Sequence, residues 1–286
     1  MKIGLMFITS GPFSDPDLFA HLVTTAERCG VESIWSVEHV VIPANYKSPY
    51  PYSASGKIPG GEDVPIPDPL APLAFAAAIS TKIRLGTGVI ILPQRHPVYL
   101  AKEVATIDVL SKGRMMLGIG SGWLKEEFDA VGVDFHQRGA RTDESILAMR
   151  ALWRDNLSTF HGKFFNFDSV KCFPKPVQKN GVPILIGGHS TAAAKRAGRL
   201  GDGFFPASVE PEKLKPLLAI MSEEARKAGR NPDQIEVSCM GRRSGETVKA
   251  LEDVGISRMI VPPPGLDKDA VTRGLEKLAN DVIAKR

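Results

Sequence analysis

The chain is poor in most features that would mark a secreted, metal-bound or membrane protein. Cysteine is scarce: Cys29, Cys172 and Cys239 are odd in number, widely separated and form no Cys-x-x-Cys pair. That excludes a disulfide framework and points to buried, reduced thiols in a cytoplasmic setting. No apolar run approaches the ~20 residues of a membrane span. Leu70–Ile79 is too short and contains Pro72, and the apolar start Ile3–Ile8 is shorter than a secretory core and reads as a first strand. There is no long basic block, and a formal charge of +4 is mild, so neither nucleic acid nor membrane is an expected partner.

Several reaction signatures are also missing. No Gly-x-Ser-x-Gly elbow or reactive-cysteine motif is present, which argues against nucleophilic hydrolysis. No His-x-His occurs, and His39, His96 and His189 lie in Pro, Arg and Gly contexts suited to loops and caps, so no metal is expected and a metallohydrolase is a distant reading.

What is present is a repeat of short apolar runs without strict alternation, the pattern of parallel strands covered on both faces. They are Ile3–Ile8, Ser33–Val37, Ile83–Ile91, Met115–Ile119, Pro183–Ile186, Gly203–Phe205, Ile235–Met240 and Arg258–Val261. Helical stretches separate nearly all of them. In the clearest, Pro97 suits the first turn, Leu100, Val104 and Ile107 share a face, and Gly113 ends it. This spacing predicts one (β/α)₈ barrel domain over residues 1–286, with an open doubly wound sheet as the alternative. Gly118-x-Gly120-x-Gly122 is not the Gly-x-Gly-x-x-Gly dinucleotide fingerprint, which favours the barrel. Two connections are long: a Pro- and Tyr-rich loop from Pro43 to Pro69 after the second strand, and an insertion from Asn156 to Val182 before the fifth, where Phe164–Phe167 suits an added strand. The first reads either as a lid or as a surface excursion.

In a barrel the strand C-terminal ends carry the chemistry. Glu38 and His39, Thr87, Arg95 and His96, Ser121, and His189 and Ser190 then gather on one rim. Three glycine clusters stand there too: Gly86-Thr87-Gly88, Gly118–Gly122 and Gly187-Gly188. Without Cβ atoms the backbone can approach a flat ring or a phosphate closely. The turn Gly187-Gly188-His189-Ser190 precedes a helix, whose free N–H groups favour an anion. The same glycines also suit close packing alone.

The stretch from Leu85-Gly86-Thr87-Gly88-Val89 through Ala101-Lys102-Glu103 to Met116-Leu117-Gly118-Ile119-Gly120-Ser121-Gly122-Trp123 resembles the bacterial luciferase-like flavin oxidoreductase superfamily. Arg138-x-x-Arg141-x-Asp143-Glu144, Ile186-Gly187-Gly188 and Gly201-Asp202-Gly203 carry the same likeness, and Arg95-His96-Pro97 with the Tyr-rich loop resembles its coenzyme F420 branch. The resemblance implies a TIM barrel and hydride transfer between a deazaflavin and a small organic substrate. FMN, with O₂ and a separate reductase, is the alternative cofactor; a catalytically silent flavin-binding barrel is an alternative of another kind. It further implies a cis peptide at Gly88–Val89 behind the ring, cofactor contacts at Gly88, Val89, Ile90, Ser121 and Gly122, and a phosphate turn at Gly187, Gly188, His189 and Ser190. His39 is implied beside the ring as proton donor or acceptor, with Arg95 steering a polar substrate group. Trp123 stands where sugar-phosphate dehydrogenases of the family carry a glutamate, which argues against such a substrate. Members of the family are frequently dimers, so a homodimer is expected.

Overall fold

The structure, a computed structural model, describes residues 1–206 and 210–284. Eight parallel strands close into a barrel: β1 (Lys2–Met6), β2 (Ser33–Ser36), β3 (Arg84–Thr87), then, past the short β4 (Ile90–Ile91), β5 (Met115–Gly120), and, past the hairpin strands β6 (Ser158–His161) and β7 (Asn166–Val170), β8 (Ile184–Gly187), β9 (Gly203–Phe205), β10 (Glu236–Met240) and β11 (Arg258–Val261). Closure comes from β1 pairing with β11 on one side and β3 with β5 on the other. The expected barrel is therefore the architecture found, and the open sheet is not.

Helices α1 (Pro16–Arg28), α2 (Leu70–Ile79), α3 (Pro97–Leu110), α4 (Lys125–Ala130), α5 (Arg138–Arg154), α6 (Thr191–Leu200), α7 (Pro211–Lys227), α8 (Gly245–Glu252) and α9 (Lys268–Leu278) return the chain. Their starts follow sequence rules. The Asp15 carboxylate accepts from the Leu18 N–H at 2.8 Å, with Pro16 next to it. His96 caps α3, whose Leu100, Val104 and Ile107 are buried as their spacing requires. None of the described helices is long and apolar enough to cross a membrane.

Two differences from the sequence reading stand out. The third strand is not continuous: the cis peptide Gly88–Val89 separates β3 from β4. There the Gly88 N–H bonds Ser36 O at 2.7 Å and the Thr87 hydroxyl bonds Gly118 O at 2.7 Å, which holds the break to the two neighbouring strands. The insertion holds an antiparallel hairpin, β6–β7, rather than one strand. Its turn is fastened by Glu144 of α5, whose carboxylate accepts the N–H groups of Lys163, Phe164 and Phe165 at 2.7–2.9 Å. Cys172 and Cys239 are buried, but Cys29 is only half-buried.

Inside the barrel, Trp35 is fully buried and occupies the centre. A Cβ on Gly86 would lie 2.5 Å from its ring and one on Gly4 2.8 Å from its Nε1, so these glycines make room for the indole. Below it, Arg258 is fully buried, with Glu32 Oε1 at 2.7 Å and Glu236 Oε2 at 3.1 Å. Above it, Met6, Phe205 and Ile260 form the apolar floor of the C-terminal mouth.

Candidate functional site

The mouth is built from the segments that follow β2, β4, β5 and β8. Glu38, 4% exposed, ends the β2 segment and accepts both the Ile91 N–H and the Arg95 guanidinium. Arg95 also donates to Asp68 at 2.6 Å and faces Glu103 at 4.0 Å. Burial pushes the Glu38 carboxyl up, against the pull of Arg95, while Arg95 itself is held charged by Glu38 and Asp68 after its own desolvation. The Arg95 guanidinium, for which a substrate-steering role is expected, is directed at three carboxylates and ties β2 and β4 to the start of α2.

His39 follows Glu38. Its Nδ1 lies 3.1 Å from Oε2 of Glu127, and its ring meets the edge of Trp123 at 5.8 Å. Glu127 is 1% exposed and its Oε1 accepts the Val40 N–H at 2.6 Å. Its neighbour Glu126 fastens the long loop: its carboxylate accepts the Lys47 and Ser48 N–H groups at 2.7 and 3.1 Å and the Ser48 hydroxyl at 2.7 Å. Those bonds, the hydroxyl first, hold Glu126 down to about 2. Sequence reasoning missed both glutamates. The only signal was a Glu-Glu pair opening a helix just past the fourth strand, and nothing in it says which glutamate turns inward.

The loop then runs across the mouth as a chain of ring contacts. Tyr46 and Tyr50 meet Trp123 at 5.6 and 5.2 Å, Tyr50 meets Tyr52 at 5.3 Å, and Tyr52 meets His189 at 5.1 Å. His39 and the β8–α6 turn, far apart in sequence, are joined through this arch.

The cofactor-contacting residues divide. Val89 is half-buried at the mouth, and Gly120 and Gly187 leave room for it: Cβ atoms there would come within 2.8 and 2.6 Å of its methyl groups. Gly88 lies over the floor, where a Cβ would meet Met6 and Phe205 at 3.2 Å. Two of the expected contact residues present no side chain to the mouth. Ile90 is fully buried in the layer between strands and helices, so its side chain does not face the mouth. Gly122, at φ +81°, is bare because Phe128 and Ile91 occupy the place of a side chain, at 2.5 and 2.8 Å. Ser121 sits 3.2 Å from the Thr142 hydroxyl and 3.2 Å from Nη1 of Arg196, a buried arginine paired with Asp143.

At the β8–α6 turn, Gly188 has φ +116° and gives its N–H to Phe205 O at 3.1 Å. Ser190 caps α6, its Oγ accepting the Ala193 N–H at 3.2 Å. The N–H groups of Thr191 and Ala192 have no intrahelical acceptor, and the Ser190 O–H remains a donor. This donor set fits a phosphate. His96 caps α3 and His189 touches Tyr52, so neither stands beside His39. Among the described residues no cluster of three or more His, Cys, Asp or Glu could hold a metal.

Comparison with known proteins bears on the family and the fold. The luciferase-like monooxygenase pattern matches residues 6–244. The chain belongs to that family. An uncharacterised protein of Mycobacterium tuberculosis is 31% identical over 290 residues, covering 98% of this chain and 100% of its own length. An F420-dependent glucose-6-phosphate dehydrogenase of Amycolatopsis mediterranei is 32% identical over 263 residues, covering 88% of this chain and 72% of the relative. The crystal structure of the monooxygenase RslO1 from Streptomyces bottropensis superposes with a TM-score of 0.79 at 22% identity, covering 100% of this chain and 99% of that one, which is a likeness of fold. The protein is accordingly an oxidoreductase of the luciferase-like family.

Proposed function

We propose that this protein is an F420-dependent oxidoreductase that moves a hydride between the deazaflavin and a small, uncharged organic substrate. One observation carries the reading: His39 and an anion-accepting helix start stand at the two ends of a single aromatic arch across the mouth. The F420-dependent relative supports the choice of cofactor. When bound, the deazaflavin supplies a two-electron hydride donor or acceptor. Ser190 and the N–H groups of Thr191 and Ala192 would hold its phosphate, with Val89, Gly120 and Gly187 against its ring. Trp123, Tyr50 and Tyr52 exclude water from the reacting groups. His39 gives or takes the proton at the substrate oxygen, its ring offering nitrogens that can donate or accept one.

A sugar phosphate is a poor match for this mouth. Its wall is aromatic, Arg95 is spent on carboxylates, and Lys57 is held by Tyr46 O at 2.8 Å while lying over the Tyr46 ring at 3.9 Å. The deciding experiment is a fluorescence titration of cofactor-free protein with F420 and, separately, with FMN. Selective F420 binding is expected. Preference for FMN with oxygen uptake would make it a monooxygenase, and tight binding without turnover across a broad panel would make it a carrier.

A further inference from the structure

Glu127 is a carboxylate in the first turn of α4, and both its oxygens are turned toward the β2 segment. Oε1 accepts the Val40 N–H at 2.6 Å and lies 3.4 Å from that of Val41, while Oε2 faces His39 Nδ1 at 3.1 Å. Its side chain is only 2% exposed, against 12% for His39, so the contact is shielded from water. A carboxylate accepts and does not donate, so the hydrogen of this bond belongs to Nδ1. A neutral imidazole carrying its hydrogen on Nδ1 has its lone pair on Nε2, and among the described residues no protein group bonds that nitrogen.

We propose that Glu127 is a positioning residue that selects the Nδ1–H tautomer of His39 and leaves Nε2 as the free proton acceptor. Two kinds of contact act together: those to the backbone fix where the segment carrying His39 lies, and the bond to the ring fixes which nitrogen is left open. The inference rests on His39 being the proton-handling group. A neutral ring in this tautomer can take the proton of a substrate hydroxyl at Nε2, the direction in which the deazaflavin is reduced. In that direction the substrate's C–H bond breaks with its electron pair passing to the oxidised deazaflavin. The O–H proton passes to Nε2, a C=O bond forms, and the imidazolium afterwards releases its proton to water.

Glu126 supplies the internal control. It is the adjacent carboxylate of the same helix, but its bonds go to Lys47 and Ser48 and not to the histidine. A structural disturbance of α4 would follow from losing either glutamate; a change of tautomer would follow from losing Glu127 alone.

The test is long-range ¹H–¹⁵N correlation on cofactor-free protein labelled at its six histidines, at a pH where the rings are neutral, with His39→Gln assigning the signal. Wild type is expected to show protonated Nδ1 and unprotonated Nε2. Glu127→Ala is expected to move most of the population to the Nε2–H form that an unconstrained ring prefers, and Glu126→Gln to leave it in place. In loaded enzyme, Glu127→Ala should lower kcat by about tenfold or more with KM near wild type, the signature of proton transfer rather than binding. An Nε2–H ring in wild type overturns the proposal even if no variant folds. So does an Nδ1–H ring that survives Glu127→Ala, or one lost equally in Glu126→Gln. A failure to bind F420 would sink the cofactor assignment while leaving the tautomer result standing.

Discussion

The two ends of the barrel use charge in opposite ways. At the strand starts, Arg258 is closed in by Glu32, Glu236 and Ser238, with Lys2 paired to Glu236. Each ionic group there has its partner within the cluster. At the strand ends, Arg95, Glu38 and Asp68 are similarly closed, but among the described residues His39 keeps one ring nitrogen open, α6 keeps two backbone donors open, and Thr9 and Gln94 bury side-chain polar atoms without a protein partner. A satisfied buried network fixes geometry, whereas an unsatisfied one waits for a ligand. The lower end closes its charges on one another, and the upper end leaves polar groups open among the described residues.

The largest expected effect breaks the lower end. Arg258→Ala leaves Glu32 and Glu236 facing each other in a shielded site and should cost about 3–5 kcal/mol in urea unfolding. Its cofactor affinity, measured where it remains folded, should match wild type; a loss confined to binding would refute the division. His39→Ala is the converse: turnover should drop at least about a hundredfold with stability within about 1 kcal/mol of wild type. Undiminished turnover would remove His39 from the mechanism.

A matched pair of glycines sharpens the contrast. Gly86→Ala drives a methyl into Trp35 and should destabilise by about 1–3 kcal/mol without a specific effect on binding. Gly187→Ala drives one into Val89 at the mouth and should weaken cofactor binding about tenfold, roughly 1.4 kcal/mol. Equal behaviour of the two would mean that the upper glycines only serve packing. The smallest effect is the Glu126 fastening. Its pKa in the fold, about 2, lies below the ordinary 4.5. The fastening therefore contributes fully above pH 4.5 and is lost as pH falls toward 2. The Ser48 amide resonance should shift across that window in wild type and not in Glu126→Gln.

The strands and most helix starts were legible because each depends on neighbours in sequence: apolar runs, Pro97 behind His96, Ser190 before an alanine run. The rim was legible once the barrel was assumed, since strand order fixes which ends meet. The contacts that give rim residues their jobs were not. Glu127 is 88 residues from His39, and Arg95 is 57 from Glu38. Which of two adjacent glutamates turns inward depends on how α4 docks. The glycine clusters announced close approach, but to Trp35 and Val89 as much as to any cofactor.

The loop over the mouth is knotted near its ends. Asn45 N–H bonds Glu62 at 2.9 Å, Ile58 N–H bonds the Tyr46 hydroxyl at 2.7 Å, and Glu126 grips Lys47 and Ser48. The stretch between Ser48 and Lys57, with Tyr50 and Tyr52 at its crest, is therefore a cassette whose moorings lie outside it. Within it, Tyr50 and Tyr52 pack on the barrel, against Trp123 and His189. A lineage carrying this fold could thus reshape the cover of its mouth within some eight positions while its moorings stay in place.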